Sequence, residues 1–348
     1  MKRIVIILIL LSACSNLFSK VITDIAGRKV TIKNNIKKIV TIGPGALRLV
    51  AYLKSINKVC GIEKIELNFK PSLIKPYSYL INKKIEKLPV IGEGGPGKMP
   101  YFEQLLMVNP DVIIAVGFTR GQVDFIQQKL NIPVILLDYG SLGVLNNKFI
   151  KSLEILGKTI GKKEEAKNMI NYIFSITKDL SRRVKRSDNF SVYVGGIAYK
   201  GLHDITSSDT DFFPFKILHL NNVVSESPIK GHIFITWEKL IDYNPDFIFI
   251  DKTSLPIIKL NFQKNLPKFK LLNAFLLHRI FIILPYNYYN TNVENVYIAT
   301  YTIGKIIFPN QFKDINLLKK SKEIYSQFLG IEINKNLKKF LQYNFNID

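Results

Sequence analysis

Glu103-Gln104-Leu105-Leu106-Met107-Val108-Asn109-Pro110-Asp111-Val112-Ile113-Ile114 reads as a short helix, an Asn-Pro-Asp turn and a buried strand. The same pattern returns as Glu238-Lys239-Leu240-Ile241-Asp242-Tyr243-Asn244-Pro245-Asp246-Phe247-Ile248-Phe249. The proline cannot extend the helix before it, and the unbroken apolar run after the aspartate fits a strand covered on both faces. A supersecondary unit that recurs within 348 residues points to two similar lobes.

The sequence on either side supports this. Lys29-Val30-Thr31-Ile32 and Lys38-Ile39-Val40-Thr41-Ile42 read as strands, and the second runs into Gly43-Pro44-Gly45, after which Ala46, Leu47, Leu49, Val50 and Leu53 take helical spacing. A helix is expected from about Gln122 to Leu130, then the strand Pro133-Val134-Ile135-Leu136-Leu137. A second series opens at Ser191-Val192-Tyr193-Val194-Gly195-Gly196 and includes a strand from Arg279 to Ile283. Such alternation predicts an α/β fold with mainly parallel sheets.

From Lys163 to Arg186 there is no Gly or Pro, and Ala166, Met169, Ile170, Ile173, Ile176, Leu180 and Val184 fall on one helical face. Glu164 and Glu165 open this segment and Arg182, Arg183, Lys185 and Arg186 close it, which matches the helix dipole at both ends. One long rigid helix is therefore expected to join the lobes, with a ligand cleft between them.

Lys2 and Arg3 precede the apolar run Ile4 to Leu11, far shorter than the roughly 20 residues that span a bilayer. The run reads as an export signal ending in Leu11-Ser12-Ala13-Cys14, which is similar to a bacterial lipobox and makes Cys14 the expected lipidation site. The expected organisation is residues 1–13 signal peptide, 14–20 lipid-anchored tether, 21–162 N-terminal αβ lobe, 163–187 linking helix and 188–340 C-terminal αβ lobe. With Cys14 acylated, Cys60 has no disulfide partner and is expected to be a buried, inert thiol.

Hydrophobic residues make up 47% of the chain and charged ones 22%, enough for a sizeable core and unlike a disordered protein. The net charge of +22 invites a nucleic-acid reading, but only eight of the 49 basic residues are Arg, the residue that makes bidentate contacts with phosphate and guanine. The Lys also sits among abundant Ile, Asn, Phe and Tyr, a bias that AT-rich coding produces without function. No nucleic-acid partner is expected.

A search for catalytic patterns finds little. The four histidines, His203, His219, His232 and His278, include no pair at zinc-ligand spacing, and neither Gly-x-Ser-x-Gly nor a P-loop appears. An enzyme is disfavoured. The candidate residues lie instead in polar, Gly-rich and aromatic loops after strands. Gly45 sits at a helix start, where free N–H groups hold anions, and Arg48 follows in the first turn. Gly95, Gly97 and Lys98 belong to Gly92-Glu93-Gly94-Gly95-Pro96-Gly97-Lys98, too Gly-rich for regular structure. Arg120 follows the strand end at Phe118-Thr119. Tyr199 and His203 lie in one polar loop, and Tyr286, Tyr288 and Tyr289 in Leu284-Pro285-Tyr286-Asn287-Tyr288-Tyr289-Asn290-Thr291-Asn292. Tyr phenolates suit ferric iron and Tyr faces stack on planar ligands, although three tyrosines so close together also suit a structural rim.

Taken together, Ile42-Gly43-Pro44-Gly45-Ala46-Leu47-Arg48-Leu49, Gly94-Gly95-Pro96-Gly97-Lys98-Met99-Pro100, Gly201-Leu202-His203-Asp204-Ile205-Thr206-Ser207 and Leu284-Pro285-Tyr286-Asn287 resemble a periplasmic substrate-binding protein of the iron-chelate and cobalamin class of ABC importers, over Val21 to about Phe328. The resemblance implies two αβ lobes bridged by a helix and a lipoprotein held through Cys14 in the periplasm or on the outer face of the cell membrane. It also implies a monomer with no resident cofactor, an iron(III) complex as cargo and an ABC permease dimer as partner. Glu103 and Glu238, which open the two repeat copies, are implied to dock on that permease, although a glutamate in a helix's first turn is favoured by the dipole alone. The sequence has Tyr288 where similar proteins tend to have Trp. Cobalamin, another corrinoid or haem is the alternative cargo. A lipid-anchored hydrolase and a polyanion-binding surface protein are the rivals from other classes.

Overall fold

The computed structural model describes residues 19–67, 70–140, 146–184, 190–334 and 337–345. The export segment and Cys14 lie outside them. The chain divides into two compact units. Of the described residues, the first takes 19–71, Tyr77–Gly140 and 146–171, and the second takes Ser72–Pro76 and the chain from Tyr172. This differs from the contiguous lobes expected from sequence. Ser72–Pro76 goes with the second unit because the carbonyls of Leu73 and Ile74 accept hydrogen bonds from Asn295 Nδ2 (2.9 Å) and Asn292 Nδ2 (3.0 Å).

In the first unit β1 (Ser19–Thr23) and β2 (Lys29–Lys33) form an antiparallel hairpin. Asp24 fastens its turn, accepting the N–H groups of Ala26 and Arg28 at 3.0 Å each and that of Leu136 at 3.2 Å. The main sheet contains β3 (Ile39–Ile42), β4 (Val59–Gly61), β5 (Val112–Val116) and β6 (Val134–Leu137) in the order β4-β3-β5-β6, all parallel. Every residue of β3, β5 and β6 is buried, as expected of apolar runs covered on both faces. Val40, Ile42, Ile113 and Ala115 pack with Val123, Ile126 and Leu130 of the helix Arg120–Leu130. Cys60 is half-buried in β4, and burial pushes its thiol pKa up to about 11.

The second unit repeats the plan. β7 (Ser191–Gly195), β9 (Asn221–Asn222), β11 (Phe247–Asp251) and β12 (Ile280–Ile283) form a parallel sheet in the order β12-β11-β7-β9, while β8 (Ser207–Asp209) pairs antiparallel with β10 (His232–Phe234). Its core gathers Trp237, Leu240, Ile248, Ile250, Phe262 and Phe269.

The two sequence repeats occupy equivalent places. The helices Phe102–Val108 and Trp237–Tyr243 each bury a leucine completely, Leu105 and Leu240, and each ends on a left-handed asparagine, Asn109 (φ 45°) and Asn244 (φ 39°). Asparagine tolerates that conformation at a helix end. The aspartate after the proline then fastens the first strand of its sheet. Asp111 accepts the N–H groups of Lys37 (2.8 Å) and Lys38 (2.9 Å) just before β3, and Asp246 accepts that of Ser191 (2.8 Å) at the start of β7.

The segment expected to link the lobes forms the helix Lys163–Arg183, and the division between units falls inside it. Its basic end has a specific partner besides the dipole: Arg183 makes a two-pronged ion pair with Asp314 (2.7 and 2.9 Å) and another with Asp179 (3.0 Å).

Candidate functional site

In both sheets the strand order reverses beside the first strand, at β3/β5 and at β7/β11. Loops that leave the C-terminal ends of strands at such a reversal frame the usual ligand crevice of open α/β sheets. Gly45 and Arg120 in the first unit, and Tyr199 and His203 in the second, lie on or beside these loops, whereas Gly95, Gly97 and Lys98 precede the Phe102–Val108 helix and Tyr286, Tyr288 and Tyr289 follow the edge strand β12.

In the first unit β3 leads into Gly43-Pro44-Gly45 and the buried helix Ala46–Tyr52. Gly43 (φ 84°) has no room for a side chain, because a Cβ there would lie 2.0 Å from the Val116 carbonyl oxygen. Gly45 (φ 84°) serves Tyr139, whose ring occupies the space a Cβ would need and whose hydroxyl donates to the Gly45 carbonyl at 2.9 Å. The Gly43 N–H donates to the buried carboxylate of Glu63 at 3.0 Å, so this amide of the loop is satisfied from within.

Arg48 corrects the expectation of a solvent-facing anion contact. It is 0% exposed, with its guanidinium 4.8 Å from the Tyr77 ring centre. The Tyr77 hydroxyl donates to both oxygens of buried Glu66, at 2.8 and 3.0 Å. Burial first, and then the Glu66 charge, hold the Tyr77 phenol well above its ordinary pKa. Arg48 thus belongs to a buried polar cluster with Glu66 and Tyr77, whose charges offset one another.

Gly95 is buried, Gly97 half-buried and Lys98 exposed in a turn closed by the Lys98 N–H donating to the Gly95 carbonyl at 3.2 Å. Gln122 Nε2 donates to the Gly97 carbonyl at 3.4 Å, which ties this loop to the start of the Arg120–Leu130 helix. Thr119 and Gln122 form a capping box there, and Arg120, 69% exposed, makes only a loose pair with Asp124 at 3.7 Å.

In the second unit the loop after β7 brings Tyr199 and His203 together, and the β8/β10 pair adds His232 and Phe234. The Tyr199 and His232 rings stack at 4.3 Å, and the edge-on Phe234 ring stands 4.8 Å from His203 and 4.7 Å from His232. His203 Nε2 lies 2.7 Å from the Tyr199 carbonyl oxygen, and His232 Nε2 lies 2.8 Å from Ser207 Oγ. Lys200 Nζ stands 5.4 Å from the Tyr199 ring centre. Burial and the neighbouring His203 depress the His232 pKa, which keeps that imidazole neutral. Sequence reasoning passed over His232 because its place depends on the β8/β10 register, in which Phe234 pairs with Ser207.

Tyr286 is the second correction. It is 1% exposed, packed 5.0 Å from the Phe212 ring, and burial followed by the charges of Asp209 and Asp211 keeps its phenol protonated, the opposite of a phenolate donor. Its role is to anchor the loop. Buried Asp251 at the end of β11 accepts the Tyr286 N–H at 2.8 Å and the Thr253 N–H at 2.7 Å, while Asn292 and Asn295 each donate to the Pro285 carbonyl at 3.0 Å. Burial pushes the Asp251 carboxyl up to about 6. Tyr288 and Tyr289 sit half-buried at the tip, with Tyr289 in the left-handed region at φ 48°.

Glu103 and Glu238 are both exposed in the first turns of the equivalent helices. A hydrogen bond from the backbone, then one from Thr236, lowers the Glu238 pKa.

Comparison with known proteins agrees with this architecture. A family model described as periplasmic binding protein matches residues 74–282. The molybdate-binding protein MolA of Haemophilus influenzae is 23% identical over 90% of this chain and 92% of its own. An uncharacterized ABC transporter substrate-binding lipoprotein of Bacillus subtilis, YvrC, is 20% identical over 86% of this chain and 89% of its own. Among solved structures, a periplasmic solute binding protein from Veillonella parvula superposes with a TM-score of 0.73 at 19% identity, covering 93% of this chain and 97% of that one.

Proposed function

This chain belongs to the periplasmic binding protein family, and from that premise we propose that it captures an iron(III) complex or a related metal chelate outside the cytoplasm and delivers it to the permease of an ABC importer. In this reading Cys14 carries the lipid anchor, the ligand is cargo and the chain performs no chemistry on it. The observation that carries the proposal is the duplicated plan. Two parallel sheets of the same strand order each present loops at their switch point, and in each the strand after the reversal, β5 or β11, follows a helix with an exposed glutamate in its first turn. Arg120, Lys98 and Lys200 supply positive charge for an anionic chelate, while His203, Tyr288 and Tyr289 supply metal or ring contacts.

A bare oxyanion is the second reading. The similarity to a molybdate-binding protein along 90% of this chain favours it.

Glu103 and Glu238 are assigned the permease contacts. Charge reversal at both, Glu103→Lys with Glu238→Lys, is expected to abolish uptake in cells while ligand affinity of the purified protein stays within about twofold, since both side chains lie on the exposed rim of their helices. Loss of ligand binding in the double variant, or undiminished uptake, would overturn the docking assignment.

A further inference from the structure

We propose that His203 and His232 form a two-imidazole site for a borderline divalent metal ion, presented through Nδ1 of both rings. The proposal deepens the metal-chelate reading above by naming the kind of metal the second unit is built to meet.

The hydrogen bonds fix the tautomers. A carbonyl oxygen only accepts, so the 2.7 Å contact with the Tyr199 carbonyl places the His203 proton on Nε2. The His232 tautomer is set by Ser207, whose one hydroxyl proton goes to the Ile197 carbonyl at 2.7 Å. The 2.8 Å contact between Ser207 Oγ and His232 Nε2 is therefore donated by the imidazole. With the proton on Nε2, the neutral form of each ring carries its lone pair on Nδ1, and among the described residues neither Nδ1 has a hydrogen-bond partner. A ring N–H anchored on a carbonyl or hydroxyl, with the other nitrogen open, is the arrangement that supports a metal-ligating histidine.

The ring centres are 6.2 Å apart, with 42° between the planes. With metal–nitrogen bonds of about 2.0–2.1 Å, two imidazoles on one tetrahedral ion place their centres roughly 5 Å apart, so the pair must close by about 1 Å to take the ion. Imidazole nitrogen suits zinc, nickel and copper, whereas ferric iron prefers hard oxygen donors. Of the tyrosines singled out as oxygen donors, Tyr286 is buried and protonated. Among the described residues no group of three or more His, Cys, Asp or Glu gathers here, so further coordination positions fall to water or to the donors of an incoming chelator. Tyr199 and Phe234, 47% and 59% exposed, flank the pair as an aromatic wall.

The test uses the full-length chain in detergent, stripped of metal, labelled with 15N-histidine and titrated with Zn(II) alone. Long-range 15N–1H spectra of the four histidines report both tautomer and coordinated nitrogen. The expected result is an Nε2–H tautomer for His203 and His232 before metal, then a shift of both Nδ1 signals with one equivalent, while His219 and His278 stay unmoved. His232→Gln is expected to weaken Zn(II) binding at least tenfold, and Ser207→Ala about tenfold, with melting temperatures showing that both variants fold. Coordination through Nε2, unmoved Nδ1 signals, or equal affinity in folded His232→Gln would overturn the proposal. A native cargo without metal would defeat the chelate reading and leave a positive zinc result standing. A metal-bearing cargo with no zinc shift would defeat the pair alone.

Discussion

Asp251 accepts the backbone N–H of Tyr286 at 2.8 Å, and through that one bond the end of β11 holds the root of the tyrosine loop. The same carboxylate holds the Thr253 N–H at 2.7 Å, and all of this is buried. Asp251→Ala leaves two buried amides without an acceptor, and a loss of about 2 kcal/mol in unfolding free energy is expected. Urea unfolding measures it, and unchanged stability would show that the loop does not depend on this clasp.

Asp209 predicts a pH dependence. Burial raises its carboxyl to about 6, so the folded chain holds that proton more tightly than the unfolded one. Its contribution to stability is fully present below the unfolded pKa of about 4 and is lost as pH rises through about 6. Asp209→Asn, which keeps an oxygen for the Asp211 N–H, is expected to gain on the parent by roughly 3 kcal/mol between about pH 3 and about pH 7.5. Paired denaturation curves at the two pH values decide it, and a gap that stays constant or shrinks as pH rises contradicts the assignment.

Two glycines separate backbone strain from steric exclusion. Gly27 and Gly43 have φ of 76° and 84°, but a Cβ at Gly27 meets nothing within 4 Å, whereas at Gly43 it would lie 2.0 Å from a carbonyl oxygen. Gly27→Ala is expected to cost about 1 kcal/mol and Gly43→Ala about 3 kcal/mol or more, because β3 and β5 must move apart to admit it. Equal losses in thermal or urea unfolding would remove the close-approach argument.

The pattern of burial made the fold readable from sequence. The runs Val112–Val116 and Phe247–Asp251 are apolar because both faces of each strand are covered, and the Asn-Pro-Asp turns mark a left-handed helix end followed by an aspartate that fastens a neighbouring strand. The site was legible only as loops. Arg48 and Tyr286 carry polar groups in Gly- and Asn-rich surroundings, yet both are core residues, since a sequence does not show that Glu66 and Tyr77 surround one and Phe212 and Asp251 secure the other. The pairing of His203 with His232 arises from strand register across intervening chain, which residue spacing cannot encode. Ser72–Pro76 likewise joins the second unit through the amides of Asn292 and Asn295, more than 200 positions away.

Purified from its native host without chelators, the chain can be weighed by native mass spectrometry before and after denaturation, with elemental analysis and an absorption spectrum of the released fraction. About one equivalent of a small molecule containing a metal is the expected result, with absorption separating a ferric complex from a corrinoid or haem. A stoichiometric ligand without a chelated metal, whether an organic solute or a bare oxyanion such as molybdate, would contradict it.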